Sequence, residues 1–253
     1  GWSGTVEDAV AILAMVLHYS FIAGVSPSSI VDRQERLKEM NIEILAQEKR
    51  PAPLWLIQQY YRPERAKRAK EIRRCLEENV KCKYVDKIVL LNEADYSSDF
   101  PAGSEQKIQQ IVIGKRLTYE TVIRTIFEET IPKDVIVVFS NSDIYLEDST
   151  RFLWSCNLDN KFLSLLRWDV PEAMGQESKM FGPRDDSQDT WILTSNSVKS
   201  RTWKWEDLRF PFGKNGCDNA INVEMLRQKF LVVNPAYTIQ TQHVHSSGFR
   251  TYN

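Results

Sequence analysis

The chain has 253 residues, 42% hydrophobic and 26% charged, with 33 basic against 34 acidic side chains and a formal net charge of −1. That length carries one large core, or one core with an appendage, and the balanced charge supplies no field for gripping a polyanion, which argues against a nucleic-acid partner. Cys75, Cys82, Cys156 and Cys217 form no close Cys-x-x-Cys pair, so neither a zinc knuckle nor a dense disulfide framework is implied and they read as buried thiols.

Ala9 to Val25 is the most apolar run, but it falls short of the roughly 20 residues a bilayer requires and carries His18, Tyr19 and Ser20. It reads as a packed helix rather than a membrane span, stopped by Gly24 and Pro27. Ile30 to Ala46 spaces Ile30, Leu37, Met40, Ile44 and Leu45 among charges, which predicts a second, amphipathic helix. No glycosylation acceptor and no signal peptide occur. The expected compartment is the cytoplasm, with the Golgi lumen as the alternative for a domain excised from a larger multidomain protein.

After Pro51 and Pro53, Leu54 to Gln58 reads as a short strand, and Pro63 opens a helix to about Val80. The charge run Arg62, Arg65, Lys67, Arg68 and Lys70 reads as its solvated face rather than as a phosphate site. Lys87 to Leu91 and Gln109 to Ile113 are further strands, and Thr118 to Thr130 is a helix. Val135 to Phe139 is an unbroken apolar, mostly β-branched run, the signature of a central strand buried on both faces. It opens into Ser140-Asn141-Ser142-Asp143, at the edge where open α/β sheets bind ligands. If the backbone stays extended there, Asn141 and Asp143 share one face and Ser142 takes the other. This β-α-β-β-α-β order predicts an α/β fold with a mostly parallel sheet and a nucleotide-sized crevice. No glycine-rich phosphate fingerprint supports a dinucleotide fold or a P-loop.

In the second half, Phe162 to Leu166, Trp191 to Leu193 and Phe230 to Val233 read as strands, Ala220 to Lys229 as a helix, and Thr238 to His245 as extended chain. His243 and His245, spaced by two, project to the same side of an extended segment. With a carboxylate such as Asp143 they suit a divalent ion of the manganese type, magnesium second. Asp218 follows Gly213-Lys214-Asn215-Gly216 at a helix start, where it reads as an N-cap, as a general base aimed into the crevice, or as both. Asp186, Gln188 and Asp189 with Trp191 offer what a sugar needs, several hydroxyl partners and one flat apolar surface, although a surface loop leading into a strand explains them nearly as well. Lys179, Arg184 and Arg250 are candidates for a diphosphate by charge, beside the plainer reading of solvated surface.

The Asp-bearing strand end Asn141-Ser142-Asp143, the loop Gly216-Cys217-Asp218-Asn219 and the segment His243-Val244-His245, in that order after an α/β half, resemble a GT-A-fold glycosyltransferase over roughly residues 52 to 252. The resemblance implies a GT-A-like, Rossmann-like central sheet flanked by helices in a unit over 49–253, preceded by a helical appendage over 1–48. It implies a nucleotide-sugar donor, first a UDP-sugar, a glycan or other hydroxyl acceptor, and a divalent ion held by Asp143 and a late histidine against the donor diphosphate. The family's strand-end motif is Asp-x-Asp; here Asn141 replaces the first acid. Asp218 falls where inverting members keep their base, with Asp189 as a second catalytic carboxylate. Gln59, Tyr60, Asn92, Glu93 and Arg116 would line the base and ribose pocket, and Ser142, Asp186 and Arg250 would contact the donor. A metal-dependent phosphohydrolase, a nucleotidyltransferase and a nucleotide-sugar-binding module that has lost turnover are the competing readings.

Overall fold

The structure, a computed structural model, describes residues 50–172, 176–182, 184 and 186–245. The two expected N-terminal helices and Arg250 lie outside these residues. The first half runs β1 (Leu54–Gln58), α1 (Ala66–Lys81), β2 (Lys87–Asn92), β3 (Ile108–Val112), α2 (Tyr119–Phe127) and β4 (Ile136–Ser140), the expected β-α-β-β-α-β order. Helix α1 starts three residues after Pro63, because Arg65 keeps an extended backbone at ψ 120°. Thr118 caps α2 by accepting a hydrogen bond from the Thr121 amide at 3.2 Å.

The second half adds β5 (Ile144–Tyr145), β6 (Lys161–Leu165), β7 (Arg167–Asp169), β8 (Lys179–Met180), β9 (Thr190–Thr194), α3 (Ser195–Lys199), α4 (Cys217–Arg227), β10 (Leu231–Val233) and β11 (Thr241–His243). The main sheet has the order β10-β6-β9-β4-β1-β2-β3, with β4 in the middle and every residue of β4 buried. All neighbours pair in parallel except β9, which is antiparallel to both β4 and β6. The sheet is therefore mostly parallel, as expected, with one reversed strand.

Alternate residues of β4 feed two cores. Ile136 and Val138 pack with Ile72 and Leu76 of α1, while Val137 and Phe139 pack with Tyr119, Val122 and Ile126 of α2 and Ile221 of α4. The second core is strongly aromatic. Tyr119 stacks on Phe212 at 4.1 Å between ring centroids, and Phe139 stacks on Trp191 at 5.6 Å. Trp191 is fully buried, so it is a core residue and not the flat sugar face that its neighbours in sequence suggest.

Because β9 is reversed, its entry residues Gln188 and Asp189 reach the same edge as the carboxyl end of β4. A second sheet, β5-β11-β7-β8, lies beside that edge, with β11 parallel to β7 and antiparallel to β5. Its strands are two or three residues long, too short for a periodic signal in the sequence. No helix among the described residues is long and apolar enough to cross a membrane.

Candidate functional site

A cavity of about 620 Å³ opens at the carboxyl edge of the sheet and draws its walls from both sheets, the start of α1 and the loop before α4. Asp143, His243 and His245 stand on one wall and Asp218 on another.

The chain turns directly after β4, with the Ile144 amide donating to the Asn141 carbonyl at 3.3 Å. This turn corrects the extended reading of the strand end, because Asn141 and Asp143 take different partners. Asn141 donates through Nδ2 to Asp189 Oδ1 at 2.7 Å. Asp143 Oδ2 lies 3.2 Å from His243 Nε2 and 3.6 Å from His245 Nδ1. The two imidazoles stack at 5.5 Å with 7° between their planes, as the spacing of two on extended chain leads one to expect. The Val244 amide donates to the Asp143 carbonyl at 2.9 Å, so the backbone itself fastens the histidine segment to the aspartate.

These residues fit a divalent cation. One ligating atom from each of the three lies within 4.8 Å of the others. Asp143 Oδ1 and His245 Nε2 are buried with no hydrogen-bond partner, a costly arrangement that a cation would relieve. His243 Nδ1 lies 2.7 Å from Asp169 Oδ1, the carboxylate–histidine arrangement that turns the other ring nitrogen towards a metal. Burial opposes charge at Asp143, yet His243, His245 and Arg68 hold its carboxyl well below the usual range. Burial likewise disfavours the His243 imidazolium, but Asp143 and Asp169 raise its pKa to about 9.

Arg68 overturns the reading of the α1 charge run as wholly solvated. Its Nη2 donates to Asp143 Oδ2 at 2.7 Å and its Nη1 to Glu71 Oε2 at 3.0 Å, with 14% of the side chain exposed. The buried residues of α1 are Glu71, Ile72, Cys75, Leu76 and Asn79, and Arg68 sits one turn before them on the same stripe.

Asp218 is not an N-cap. Gly216 takes that position with φ 81°, a left-handed backbone that suits glycine, and Asp218 lies in the first turn of α4. Its carboxylate accepts from the Gln188 amide at 3.0 Å and the Asn219 amide at 3.1 Å. Among the described residues no cation pairs with it, and burial pushes its pKa up to about 6. Asn222 donates to Gln188 Oε1 at 2.7 Å, fixing the residue whose amide holds Asp218.

Asp189 lines the cavity but is neutralised by Arg167 Nη1 at 3.1 Å as well as held by Asn141. Asp186 is exposed and paired with Arg184, Nη2 to Oδ2 at 2.7 Å. Phe181, flanked by the guanidinium groups of Arg167 at 3.7 Å and Arg184 at 4.7 Å, supplies the aromatic wall that Trp191 does not. Lys179 does not line the cavity, whereas Arg184 does.

Of the residues expected around a base and ribose, Gln59, Glu93 and Arg116 line the cavity. Gln59 spends its amide on the backbone, donating to the Leu91 and Lys115 carbonyls and accepting from the Leu117 amide. Arg116 lies against Gly213, where an added Cβ would come within 3.0 Å of its Nη2. Tyr60 and Asn92 do not line the cavity. Asn92 accepts from the Tyr60 amide at 2.8 Å, and the Tyr60 hydroxyl donates to Asp99 at 3.0 Å, so both are structural. Ser142 lines the cavity and donates to the Gln59 carbonyl. Arg68, Arg167 and Asp169 carry the local electrostatics without having been singled out from sequence. For Arg68 the helical stripe was the available signal; Arg167 and Asp169 sit on a three-residue strand that gives none.

No family model and no curated protein sequence matches the chain. Among solved structures, it is similar to the mannosyltransferase PcManGT from Pyrobaculum calidifontis in complex with GDP-Man and Mn2+, at 11% identity and TM-score 0.50, over 98% of this chain and 70% of that one. Two further similarities have lower TM-scores of 0.48. One is to a 4-diphosphocytidyl-2C-methyl-D-erythritol synthase from Anaerococcus prevotii, at 12% identity over 80% of this chain and 94% of that one. The other is to TarS from S. aureus in complex with UDP-GlcNAc, at 13% identity over 78% of this chain and 60% of that one. The fold is GT-A-like.

Proposed function

We propose that the protein is a metal-dependent glycosyltransferase, moving a sugar from a nucleotide-diphosphate sugar, UDP-sugars first, to a hydroxyl on a glycan or other acceptor. The observation that carries this reading is one cavity holding two kinds of acid: Asp143 inside a donor set with orphaned ligand atoms, and Asp218 held by backbone amides with its pKa raised to about 6. The GT-A-like fold supports it, and the Mn2+ and GDP-Man bound by the Pyrobaculum protein are in line with a divalent ion and a nucleotide-diphosphate sugar, without favouring uridine over guanosine.

In this reading Asp143, His243 and His245 hold manganese, or magnesium in its place, and Asp169 orients His243. The bound ion supplies Lewis-acid neutralisation of the leaving diphosphate. Asp218 takes the proton of the acceptor hydroxyl as the oxygen attacks the anomeric carbon, which inverts that centre. Glu93 and Arg116 flank the nucleotide, Ser142, Asp186 and Arg250 contact the donor, and Asp189 faces the sugar. The transferase unit is taken as residues 49–253, with 1–48 as a helical appendage.

Two observations favour a second reading, a nucleotide-sugar-binding module without turnover: Asn141 in place of an acid, and Arg68 seated on Asp143. A panel of nucleotide sugars, with and without Mn2+, separates the two by thermal shift and donor hydrolysis. A metal-dependent shift with slow hydrolysis, both abolished in Asp143→Ala, supports the transferase; a shift with no loss of donor selects the binding module. The absence of a shift with any nucleotide sugar would sink both.

A further inference from the structure

Asp143 Oδ2 is shared among three groups. His243 Nε2 and His245 Nδ1 approach it from β11 and the residue pair beyond, and Arg68 Nη2 approaches from α1 at 2.7 Å, closer than either. A permanent guanidinium charge at hydrogen-bond distance from the one carboxylate of a candidate metal site is at odds with a divalent ion in the same place, because like charges that close repel strongly in a partly buried setting. Arg68 has another anchor and somewhere to go. Glu71, 5% exposed, holds its Nη1 at 3.0 Å, the Val244 carbonyl lies 3.4 Å from that same nitrogen, and the side chain also lines the cavity.

We propose that Arg68 is the built-in competitor of the divalent ion at Asp143. It occupies the carboxylate when no metal is bound, and loading requires the guanidinium to leave Asp143 while Glu71 retains it at the cavity wall. The inference rests on the metal reading of Asp143, His243 and His245. It predicts that the intact site binds a free divalent ion weakly, and that an anion in the cavity able to receive Arg68, such as a diphosphate, promotes loading; by reciprocity the metal then promotes binding of that anion.

The test is Mn2+ binding in the absence of any nucleotide, followed by the loss of the free-ion electron paramagnetic resonance signal, in the full chain and in Arg68→Met, which keeps much of the apolar stem. The variant should bind Mn2+ at least tenfold more tightly than the parent. Unchanged or weaker binding in a variant whose circular dichroism and thermal transition match the parent overturns the proposal. Arg68→Ala supplies an independent check: methylguanidinium should compete with Mn2+ in that variant and leave the parent's affinity unaltered, and failure to compete counts against the proposal. Should His243→Ala and the parent bind Mn2+ equally, the metal reading itself falls, which is a different outcome from a parent that binds through His243 with an affinity indifferent to Arg68.

Discussion

Asp143 and Asp218 are the same side chain placed in two walls of one cavity, and their surroundings drive them apart. Asp143 is enclosed by His243, His245 and Arg68, which hold it ionised in spite of burial. Asp218 is half-buried, has no cation beside it among the described residues and is held by backbone amides, including those of Gln188 and Asn219, so desolvation lifts its pKa to about 6. Separation of this kind is how one site keeps a permanent anion for binding and a proton acceptor for chemistry. A carboxylate near pH 6 combines a large deprotonated fraction at neutrality with useful basicity.

The largest effect that would break this contrast is at the base. Asp218→Asn should leave nucleotide binding intact and lower turnover by roughly 10² to 10⁴-fold, the usual contribution of a positioned general base. Near-normal turnover in a steady-state assay would remove Asp218 from that role. On the other wall, Asp169→Asn should weaken Mn2+ binding by about 10 to 100-fold through misorientation of His243, a range typical of such partners. Titration calorimetry reads it directly, and an unchanged affinity would leave Asp169 a purely structural member of β7.

A finer test is pH. The base works only as the anion, so turnover at saturating donor and metal should fall about tenfold per unit below pH 6 and level off above it. A profile that is flat between pH 5 and 7 would contradict the assignment. Stability carries the opposite sign. Since burial raises the folded pKa of Asp218 above its unfolded value, the folded state binds more protons in between, and stability falls as pH rises from about 4 to about 6. Subtracting the denaturation profile of Asp218→Asn from that of the parent should reveal this loss, on the order of 3 kcal/mol for a rise of about two pKa units. If the difference is pH-independent, Asp218 is less buried than the geometry indicates.

The two walls also differ in how plainly the sequence announces them. Val135 to Phe139, Asp143 and the His-x-His segment are local patterns, and each lands as an apolar run or an alternation of two requires. The first-half elements were legible for the same reason. What escaped was long-range pairing. Nothing local states that β9 is reversed, that Trp191 faces the aromatic core, or that Asn141 turns towards Asp189 across 48 positions. Tyr60 and Asn92 stand at strand ends, as the pattern predicts, but their side chains close a structural network, since position at a strand end fixes neither rotamer nor partner. Arg68 was the instructive case: its charge suggested solvent while its place on the helical stripe pointed inward, and a buried acid settled the conflict.

The hydrogen bond from the Val244 amide to the Asp143 carbonyl has a mechanical consequence. It ties the backbone between the two histidines to the backbone of the aspartate, while β11 is held on both sides by β5 and β7. The three side chains are thus mounted on one stiff bracket. The loop carrying Gly213 and Lys214 lines the same cavity from another stretch of chain and supplies none of those donors. Access to the site and the shape of the site are therefore governed by separate parts of the chain, so the mouth can be altered by mutation while the bracket keeps its dimensions.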